Sequence, residues 1–403
     1  ETDEVIEISS LSTLSGASKF TLSGWFKKTA VGHGLAISYD NSGSVRTSMN
    51  YHTDSNVYFS VATAGANYGT FSLASTNWVH IVMVFDGTAS GNTNRLKGYL
   101  DGVEQTLTYN STIPAAAHSQ SAVFRIGKDQ GHGLFSQGAF DEVAVWDTAL
   151  DGDAVKALYN AGQPTPVTTK TGAYDIYRDN LKAYYRMGDS TNPAADGTSN
   201  LLFDQTNPGV GSELLTNGDF SDASVPDTWN GSAGENLAGW AAYGPGHTAN
   251  AHVTITNGAA RIQSDGTYAA ISQTVLSSGV GYKYSVDVTD VTSGSIQLFG
   301  GAVLLATINS TGTFSGYFKT TDSNPFYVKR ASTPTDITFD NVSVKQVNGN
   351  TGTISGATIQ TESPKQIYAL PPVANTKSII LEGDDEFLQT QVDSVAQPNN
   401  ESR

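Results

Sequence analysis

Cysteine is absent from this chain of 403 residues. The fold therefore uses neither disulfides nor thiolate metal sites, and the absence favours a bacterial or viral protein over a secreted eukaryotic one. No apolar run reaches roughly the 18 residues of a membrane-spanning helix, so we expect no insertion into a membrane. Basic residues are scarce as well, since 22 Lys and Arg stand against 38 Asp and Glu, a net charge of −16. Nucleic acid, which is bound by clustered Lys and Arg, is therefore not an expected partner.

Glycine and aromatic residues are abundant instead. The chain contains 41 Gly and 10% aromatic residues, and only 15% of its residues are charged. This composition is typical of many short strands joined by turns, whereas helical proteins usually contain more Glu, Lys and Leu. The length leaves room for two or three domains that each bury a core. We therefore predict an all-β protein.

Successive strands are predicted along the first part of the chain. Residues 20–26 alternate between apolar and small or polar types, as a half-buried strand does. Residues 78–85 are almost continuously apolar, which indicates a central strand covered on both faces. Asp101 and Gly102 lie between two strand-like runs and predict a hairpin with a type I′ turn. Residues 140–146 alternate again, so the pattern predicts a sandwich of antiparallel strands.

One helix is predicted after these strands. Asp151 is placed to cap its start, and Gly162 ends it ahead of Pro164. The helix would present an apolar stripe made of Ala154, Val155, Leu158 and Tyr159. We expect this stripe to pack against the outside of the sandwich.

These segments resemble the concanavalin A-like, laminin-G-like jelly-roll family in their order and spacing. The resemblance covers roughly residues 1–160 and implies two stacked antiparallel sheets. Members of the family bind sugars or proteins, and some related folds hydrolyse glucans. Retaining glycosidases need two carboxylates about 5–5.5 Å apart. Asp141 and Glu142 are adjacent on a predicted strand, so their side chains should point to opposite faces. We interpret them as turn and strand-start residues and predict no enzymatic activity.

Pieces of a second laminin-G-like domain follow, but they are separated. Residues 180–189 resemble the opening strand of that family, whereas the next expected pieces occur only at residues 352–357 and 378–383. The intervening residues 213–347 resemble the galactose-binding-like jelly roll of carbohydrate-binding modules, in their opening at 214–220 and their closing at 339–344. Domain insertion is tolerated in exposed loops. We therefore predict that this β-sandwich is inserted into a loop of the second domain.

The predicted division of the chain has four parts. Residues 1–163 form a laminin-G-like sandwich without its opening strands, and residues 164–212 form a linker and the first strand of a second such domain. Residues 213–347 form the inserted module, and residues 348–403 continue the second domain. The acidic strand motif near residue 2 recurs near residue 384, so the chain reads as a window on a tandem array. Alternatively, residues 352–390 complete a sandwich in the next subunit or fold back onto the first domain.

A calcium site follows from the resemblance of the inserted module. In such modules a structural Ca²⁺ lies where the first and last strands meet. Carried onto this sequence, its ligands would be Asp219, a carbonyl near Gly218, and Asp340. Hard oxygen ligands of this kind suit Ca²⁺. The alternative, that Asp219 makes a turn and Asp340 caps a strand end, is equally open.

Sugar binding needs flat aromatic faces together with polar side chains for hydroxyl groups. Trp229, Trp240, Tyr243 and Tyr268 are the candidates in the inserted module. Trp240 follows Ala238-Gly239 and fits a core position better, whereas Trp229 and Tyr243 lie in a Gly- and Asn-rich stretch that favours exposure.

The combination of these parts resembles the virion proteins of tailed bacteriophages. It implies a fibre, appendage or capsid-decorating protein on the virion surface, homo-oligomeric, with cell-surface polysaccharide and other virion subunits as partners. Many weak sites on one particle would multiply avidity. The alternatives are an extracellular or cell-surface structural protein of a bacterium, and the accessory carbohydrate-binding region of a larger glycosidase.

Overall fold

The structure is a computed structural model. It describes residues 4–9, 11–42, 45–63, 65–130, 133–164, 166–169, 172–187, 200–222, 227–228, 236–243, 251–256, 258–331, 334–360 and 378–381. In this part of the chain no helix is long and apolar enough to cross a bilayer.

Short strands dominate the first 202 residues. They are β1 (Val5–Ile8), β2 (Lys19–Lys28), β3 (Leu35–Ser42), β4 (Val45–Tyr51), β5 (Asn56–Ala62), β6 (Tyr68–Ser72), β7 (Val79–Asp86), β8 (Leu96–Leu100), β9 (Val103–Gln105), β10 (Thr108–Tyr109), β11 (Val123–Ile126), β12 (Lys128–Asp129), β13 (Leu134–Phe135), β14 (Gly138–Trp146), β15 (Leu181–Tyr185) and β16 (Leu201–Leu202). The helices are α1 (Asn92–Arg95) and α2 (Gly152–Tyr159), with 3₁₀ turns at Asn160–Gly162 and Asp175–Asn180.

The remaining strands belong to a second sandwich and to the last described segments. They are β17 (Val210–Glu213), β18 (Asp227–Thr228), β19 (Asn236–Leu237), β20 (Trp240–Tyr243), β21 (His252–Thr256), β22 (Ala259–Ser264), β23 (Ala270–Gln273), β24 (Gly281–Ser293), β25 (Ile296–Gly300), β26 (Val303–Ile308), β27 (Gly312–Lys319), β28 (Phe326–Arg330), β29 (Thr335–Val347), β30 (Gly352–Ser355), β31 (Thr358–Gln360) and β32 (Ser378–Leu381). The prediction of an all-β protein is confirmed.

The first sandwich consists of two antiparallel sheets. One has the order β10-β6-β5-β4-β3-β11-β1-β30-β16, and the other has the order β31-β32-β14-β2-β7-β8-β9 with β15 also beside β14. The side chains between them form an apolar core that includes Phe20, Phe26, Phe59, Phe85 and Phe140. Strands β7 and β14 are buried along nearly their whole length. This burial on both faces explains the continuous apolar run of residues 79–85, because α2 covers the side away from the core.

The sandwich is completed by five later strands, β15, β16, β30, β31 and β32. Strand β30 pairs with β1, with Ile354 opposite Ile6. Strands β15 and β32 both pair with β14, with Tyr185 opposite Val143 and Ile379 opposite Phe140. The segments that resemble a second laminin-G-like domain therefore extend the sheets of the first sandwich in this chain. They do so because their apolar residues join the same core and their backbones pair with the open sides of β1 and β14.

The second sandwich occupies the chain between β16 and β30. A seven-stranded sheet with the order β18-β21-β22-β29-β24-β27, with β17 beside β29, faces a six-stranded sheet with the order β19-β20-β23-β28-β25-β26. Its separate core includes Phe220, Trp240, Phe326 and Phe339. A small apolar cluster of Leu201, Phe203 and Val347 connects the two sandwiches, and the Phe203 ring lies 5.5 Å from the ring of Tyr317.

The predicted helix is present as α2. The Asp151 carboxylate accepts a hydrogen bond from the backbone N–H of Ala154 at 2.8 Å, which is the predicted cap. The helix ends at Asn160, which adopts the left-handed conformation with φ 50°, two residues before the predicted Gly162. Its buried residues Ala154, Val155 and Leu158 pack on the outer side of the eight-stranded sheet.

The interpretation of Asp141 and Glu142 as turn and strand-start residues is wrong. Both lie in the middle of β14 and both are buried. The pairing with β2 shifts register between Asp141 and Ala144, and Glu142 has φ 50°, so an extra residue bulges from the strand here. The Glu142 carboxylate accepts hydrogen bonds from the Tyr184 hydroxyl and from Arg186 Nε, so β15 supplies the partners that make its burial tolerable.

We predict that Ile354→Ala destabilises the first sandwich, although the residue lies far outside residues 1–163. Removing a buried Ile side chain costs about 2–5 kcal/mol, and Ile354 packs in the first core. Hydrogen exchange should show lost protection in β1, whose N–H and C=O groups pair with β30, and unchanged protection in β22 of the second sandwich. Ser355→Ala, at the exposed end of the same strand, is the matched control. Equal protection of β1 in both variants would contradict the prediction.

Candidate functional site

A small cavity of about 220 Å³ opens on the outer face of the nine-stranded sheet. We call it the tyrosine pocket. It is lined by Arg46, Asn50, His52, Tyr58, Ser60 and Tyr68.

Strands β4, β5 and β6 place these side chains by simple alternation. On β4, Met49 and Tyr51 point into the core, so Asn50 points outward between them. Cross-strand register then sets the neighbours, because Asn50 lies opposite Tyr58 and Ser60 lies opposite Tyr68. The pocket is therefore a product of strand pairing, since residues of three strands meet there.

The floor of the pocket contains buried polar atoms. Asn50 is 4% exposed and Ser60 is 1% exposed. The Asn50 amide nitrogen donates to Asp129 Oδ2 at 2.6 Å. Among the described residues, Asn50 Oδ1 and Ser60 Oγ have no hydrogen-bond partner. A ligand that displaces water from the pocket has to hydrogen-bond to these oxygens, because a buried polar atom left without a partner costs about 1–3 kcal/mol.

Aromatic rings form the walls. The Tyr58 ring centroid lies 5.5 Å from that of His52 and 5.2 Å from that of Tyr68, both in edge-to-face geometry. All three rings are half-buried and reach the opening. The Tyr58 hydroxyl donates to Asp54 Oδ2 at 2.7 Å, and this hydrogen bond is the main reason why the pKa of Tyr58 rises to about 12. The same bond fixes the orientation of the ring.

The charges around the pocket nearly cancel. Burial lowers the pKa of Arg46, whereas Asp129 and Asp40 act in the opposite direction. Asp40 lies opposite Arg46 in the β3–β4 register. Arg125 Nη1 lies 3.4 Å from Asp40 Oδ1, and Arg125 Nε lies 2.9 Å from Glu7 Oε1. The Arg46 guanidinium thus already interacts with two carboxylates, those of Asp40 and Asp129.

The residues predicted to bind sugar do not gather in one site. Trp240 is fully buried, and its indole N–H donates to the Asn217 carbonyl at 3.0 Å, as expected for a core residue. Tyr268 is half-buried, with Lys329 Nζ 5.9 Å from its ring centroid. Trp229 and the side chain of Tyr243 lie outside the described residues.

A second aromatic surface lies beside Tyr268 on the outer face of the six-stranded sheet. Phe299 is opposite Tyr327 and Gln297 is opposite Lys329 across β25 and β28. The Lys329 amine stands 4.0 Å above the Phe299 ring, so it covers part of the face that a sugar ring would use. The sequence signal for this surface was the alternation within residues 296–300 and 326–330, which puts aromatic side chains on the polar side of each strand.

The predicted calcium ligands are near one another. Asp340 lies opposite Asp287 in the β24–β29 register, and the Gly218 carbonyl accepts a hydrogen bond from the Val342 N–H at 2.8 Å. Partial burial raises the pKa of Asp340, and Asp219 and Asp287 raise it further while the Asn341 N–H opposes them. In the described part of the chain, no group of three or more His, Asp or Glu side chains is placed to hold a metal ion. The calcium site stays a prediction.

One family model matches the early part of the chain. Residues 1–156 match the family model of the concanavalin A-like lectin/glucanases superfamily, of the laminin-G type. The resemblance predicted for this part of the chain is therefore confirmed. A search of curated proteins found no match.

Several solved structures are similar to parts of this chain. A heptameric SAP-like pentraxin from Limulus polyphemus is 19% identical, with a TM-score of 0.29, over 39% of this chain and 76% of its own. A putative carbohydrate binding protein from Bacteroides ovatus is 14% identical, with a TM-score of 0.33, over 51% of this chain and 56% of its own. A CBM4 structure is 14% identical, with a TM-score of 0.23, over 33% of this chain and 99% of its own. These likenesses are too distant to transfer any residue's role.

We predict that Asp340→Asn stabilises the second sandwich in the presence of EDTA at pH 7. The pKa of Asp340 is raised on folding, so its ionised form costs stability above the unfolded pKa, and this cost vanishes as the pH falls below that value. The gain should be at most about 1 kcal/mol because solvent screens the half-exposed group. Thermal unfolding at pH 7 and pH 3 measures the effect.

If Asp340 is a calcium ligand, Ca²⁺ should make the unsubstituted protein more stable than Asp340→Asn. Millimolar Ca²⁺ is then expected to raise the melting temperature of the unsubstituted protein and leave Asp340→Asn unchanged. Asp265→Asn, in an exposed turn of the same sandwich, is the control and should respond to Ca²⁺ like the unsubstituted protein. No response of any variant to Ca²⁺ would exclude the calcium site.

Proposed function

We propose that this protein binds carbohydrate without modifying it and that the tyrosine pocket is the binding site. The observation that carries the proposal is the combination of aromatic walls with buried oxygens that have no partner in the described residues. The pocket lies within the part of the chain that matches the superfamily of lectins and glucanases.

Sugar chemistry fits this arrangement closely. A pyranose ring has apolar C–H faces, which pack on aromatic rings such as those of Tyr58 and Tyr68. Its hydroxyl groups both donate and accept hydrogen bonds, so they match Asn50 Oδ1 and Ser60 Oγ on the floor. Binding sites of this type combine an apolar lining with a few well-placed polar groups. Water can also hydrogen-bond to the oxygens on the floor, but it gains nothing from packing on the aromatic walls.

The absence of catalysis is supported by the places of the acidic and nucleophilic groups. Asp141 and Glu142 are buried in β14, and Glu142 is engaged by Tyr184 and Arg186. The Ser23 hydroxyl lies 2.8 Å from His80 Nε2, a spacing that suits a nucleophile and its base. Both residues are buried, and the rings of Trp25 and Tyr159 lie against His80, so a substrate has no access to them.

The setting that we propose is the surface of a phage virion, where the protein would act as a fibre, appendage or capsid-decorating subunit on a host-surface glycan. The support is the cysteine-free, strand-rich composition together with one sandwich placed within the chain of another. A single pocket of this size gives weak binding, and display of many copies on one particle would multiply it.

We predict that Tyr58→Ala weakens glycan binding about tenfold, because it removes a stacking wall worth about 1.5 kcal/mol. A glycan array with the full chain identifies the ligand, and calorimetry then compares the variants. Tyr58→Phe keeps the ring and should keep most of the affinity. Tyr268→Ala, on the second sandwich, is the matched control and should bind normally. The proposal fails if no glycan binds, or if Tyr268→Ala loses binding while Tyr58→Ala does not.

A further inference from the structure

We propose that the tyrosine pocket takes a single uncharged sugar residue at the end of a glycan and discriminates against uronic and sialic acids. This inference rests on the proposed carbohydrate binding and names the class of sugar. Four features of the pocket lead to it: its size, the orientation of its rings, its charges and its hydrogen-bonding groups.

Size limits the ligand to one residue. The cavity measures about 220 Å³. Sites for drug-sized ligands typically measure about 300–1,000 Å³. The pocket is smaller than these sites, which favours one sugar ring over two.

Ring orientation excludes binding along the side of a chain. A glycan chain lying on a protein needs several rings in one plane to stack successive sugars. Here the Tyr58 ring is inclined by 74° to that of His52 and by 70° to that of Tyr68. The three rings thus form the sides of a cup, and a sugar must enter it end-on.

The charges around the pocket disfavour an anionic ligand. Arg46 is the one permanently charged cation among the residues that line the pocket, but Asp40 and Asp129 both act on it. Asp40 and Asp129 are fully buried, and Asp54 adds a further carboxylate at the rim beside Tyr58. A sugar carboxylate would have to leave water without gaining an unpaired cation, which is unfavourable.

The hydrogen-bonding groups lead to the same conclusion. Asn50 Oδ1 is an acceptor and needs a donor, because the amide nitrogen of the same side chain is directed to Asp129. An ionised carboxylate only accepts hydrogen bonds, whereas a hydroxyl group donates as well. The C6 hydroxyl group of an uncharged sugar can therefore satisfy the buried oxygen, whereas the carboxylate that replaces it in a uronic acid cannot.

The test uses sugars that differ at one carbon atom. Methyl glucoside is compared with methyl glucuronide, and methyl galactoside with methyl galacturonide, by saturation-transfer NMR and calorimetry on the full chain at about 0.15 M salt. N-acetylneuraminic acid and oligosaccharides that end in the preferred sugar complete the set. We expect at least one uncharged sugar to bind, its acidic partner to bind at least tenfold more weakly, and the oligosaccharide to bind within threefold of the single sugar.

Two variants connect this selectivity to the pocket. Ser60→Ala removes one floor oxygen with little change in volume and should weaken the uncharged sugar about fivefold or more. Asp54→Asn removes the exposed rim carboxylate, and the discrimination against the acidic sugar should fall at least threefold. Ser90→Ala, an exposed hydroxyl outside the pocket, is the control and should change neither quantity.

The outcomes separate this inference from the function on which it rests. Tighter binding of an acidic sugar than of its uncharged partner, or affinity that rises steeply with chain length, would overturn the inference and leave carbohydrate binding intact. If neither Tyr58→Ala nor Ser60→Ala affects binding, the sugar binds outside the tyrosine pocket. That result would overturn both the inference and the proposed binding site.

Discussion

The pairing of β30 with β1, and of β15 and β32 with β14, is the interaction on which the rest of the structure depends. A strand at the edge of a sheet leaves a row of backbone N–H and C=O groups unpaired. Strands β1 and β14 would be left in that state by residues 1–163 alone, with apolar residues such as Ile6 and Phe140 beneath them. The fit is close, because a Cβ at Gly352 would lie 2.9 Å from the Ile6 side chain. Strands β15, β30 and β32 thus pair with the open backbone groups and cover the core residues beneath them at the same time.

This closure also determines where the second sandwich lies. Its chain leaves the first sandwich after β16 and returns at β30, so its two ends are held at neighbouring strands of one sheet. Phe203 contacts Tyr317 and packs in one cluster with the buried Val347, so apolar contacts join the two sandwiches. The tyrosine pocket lies on β4, β5 and β6, towards the opposite end of the same sheet. The strands that close the sandwich and the proposed binding pocket therefore lie towards opposite ends of the sheet.

The outer face of the nine-stranded sheet departs from what stability alone would favour. Asp40, Arg46, Ser48, Asn50 and Ser60 are buried there, and polar groups in such positions cost free energy unless they are fully hydrogen-bonded. Local departures from a consistent core are expected where a protein meets a ligand. The helix-covered face of the other sheet contrasts with this, since Glu142 there is held by Tyr184 and Arg186 and is closed to solvent.

Local periodicity was enough to predict the strands at residues 20–26, 78–85 and 140–146 and the helix capped by Asp151, because alternation and capping depend on near neighbours in the chain. It also placed Trp240 in a core. Periodicity could not reveal which sheet residues 352–381 would join, because strand pairing is decided by which backbone edges remain open. Nor could it reveal the tyrosine pocket, since Asn50, Tyr58 and Tyr68 meet only through strand register. The burial of Asp141 and Glu142 was also out of reach, because it depends on a bulge in the strand. The sequence thus determined the elements and the fold class, and the tertiary structure alone decided their partners and the site.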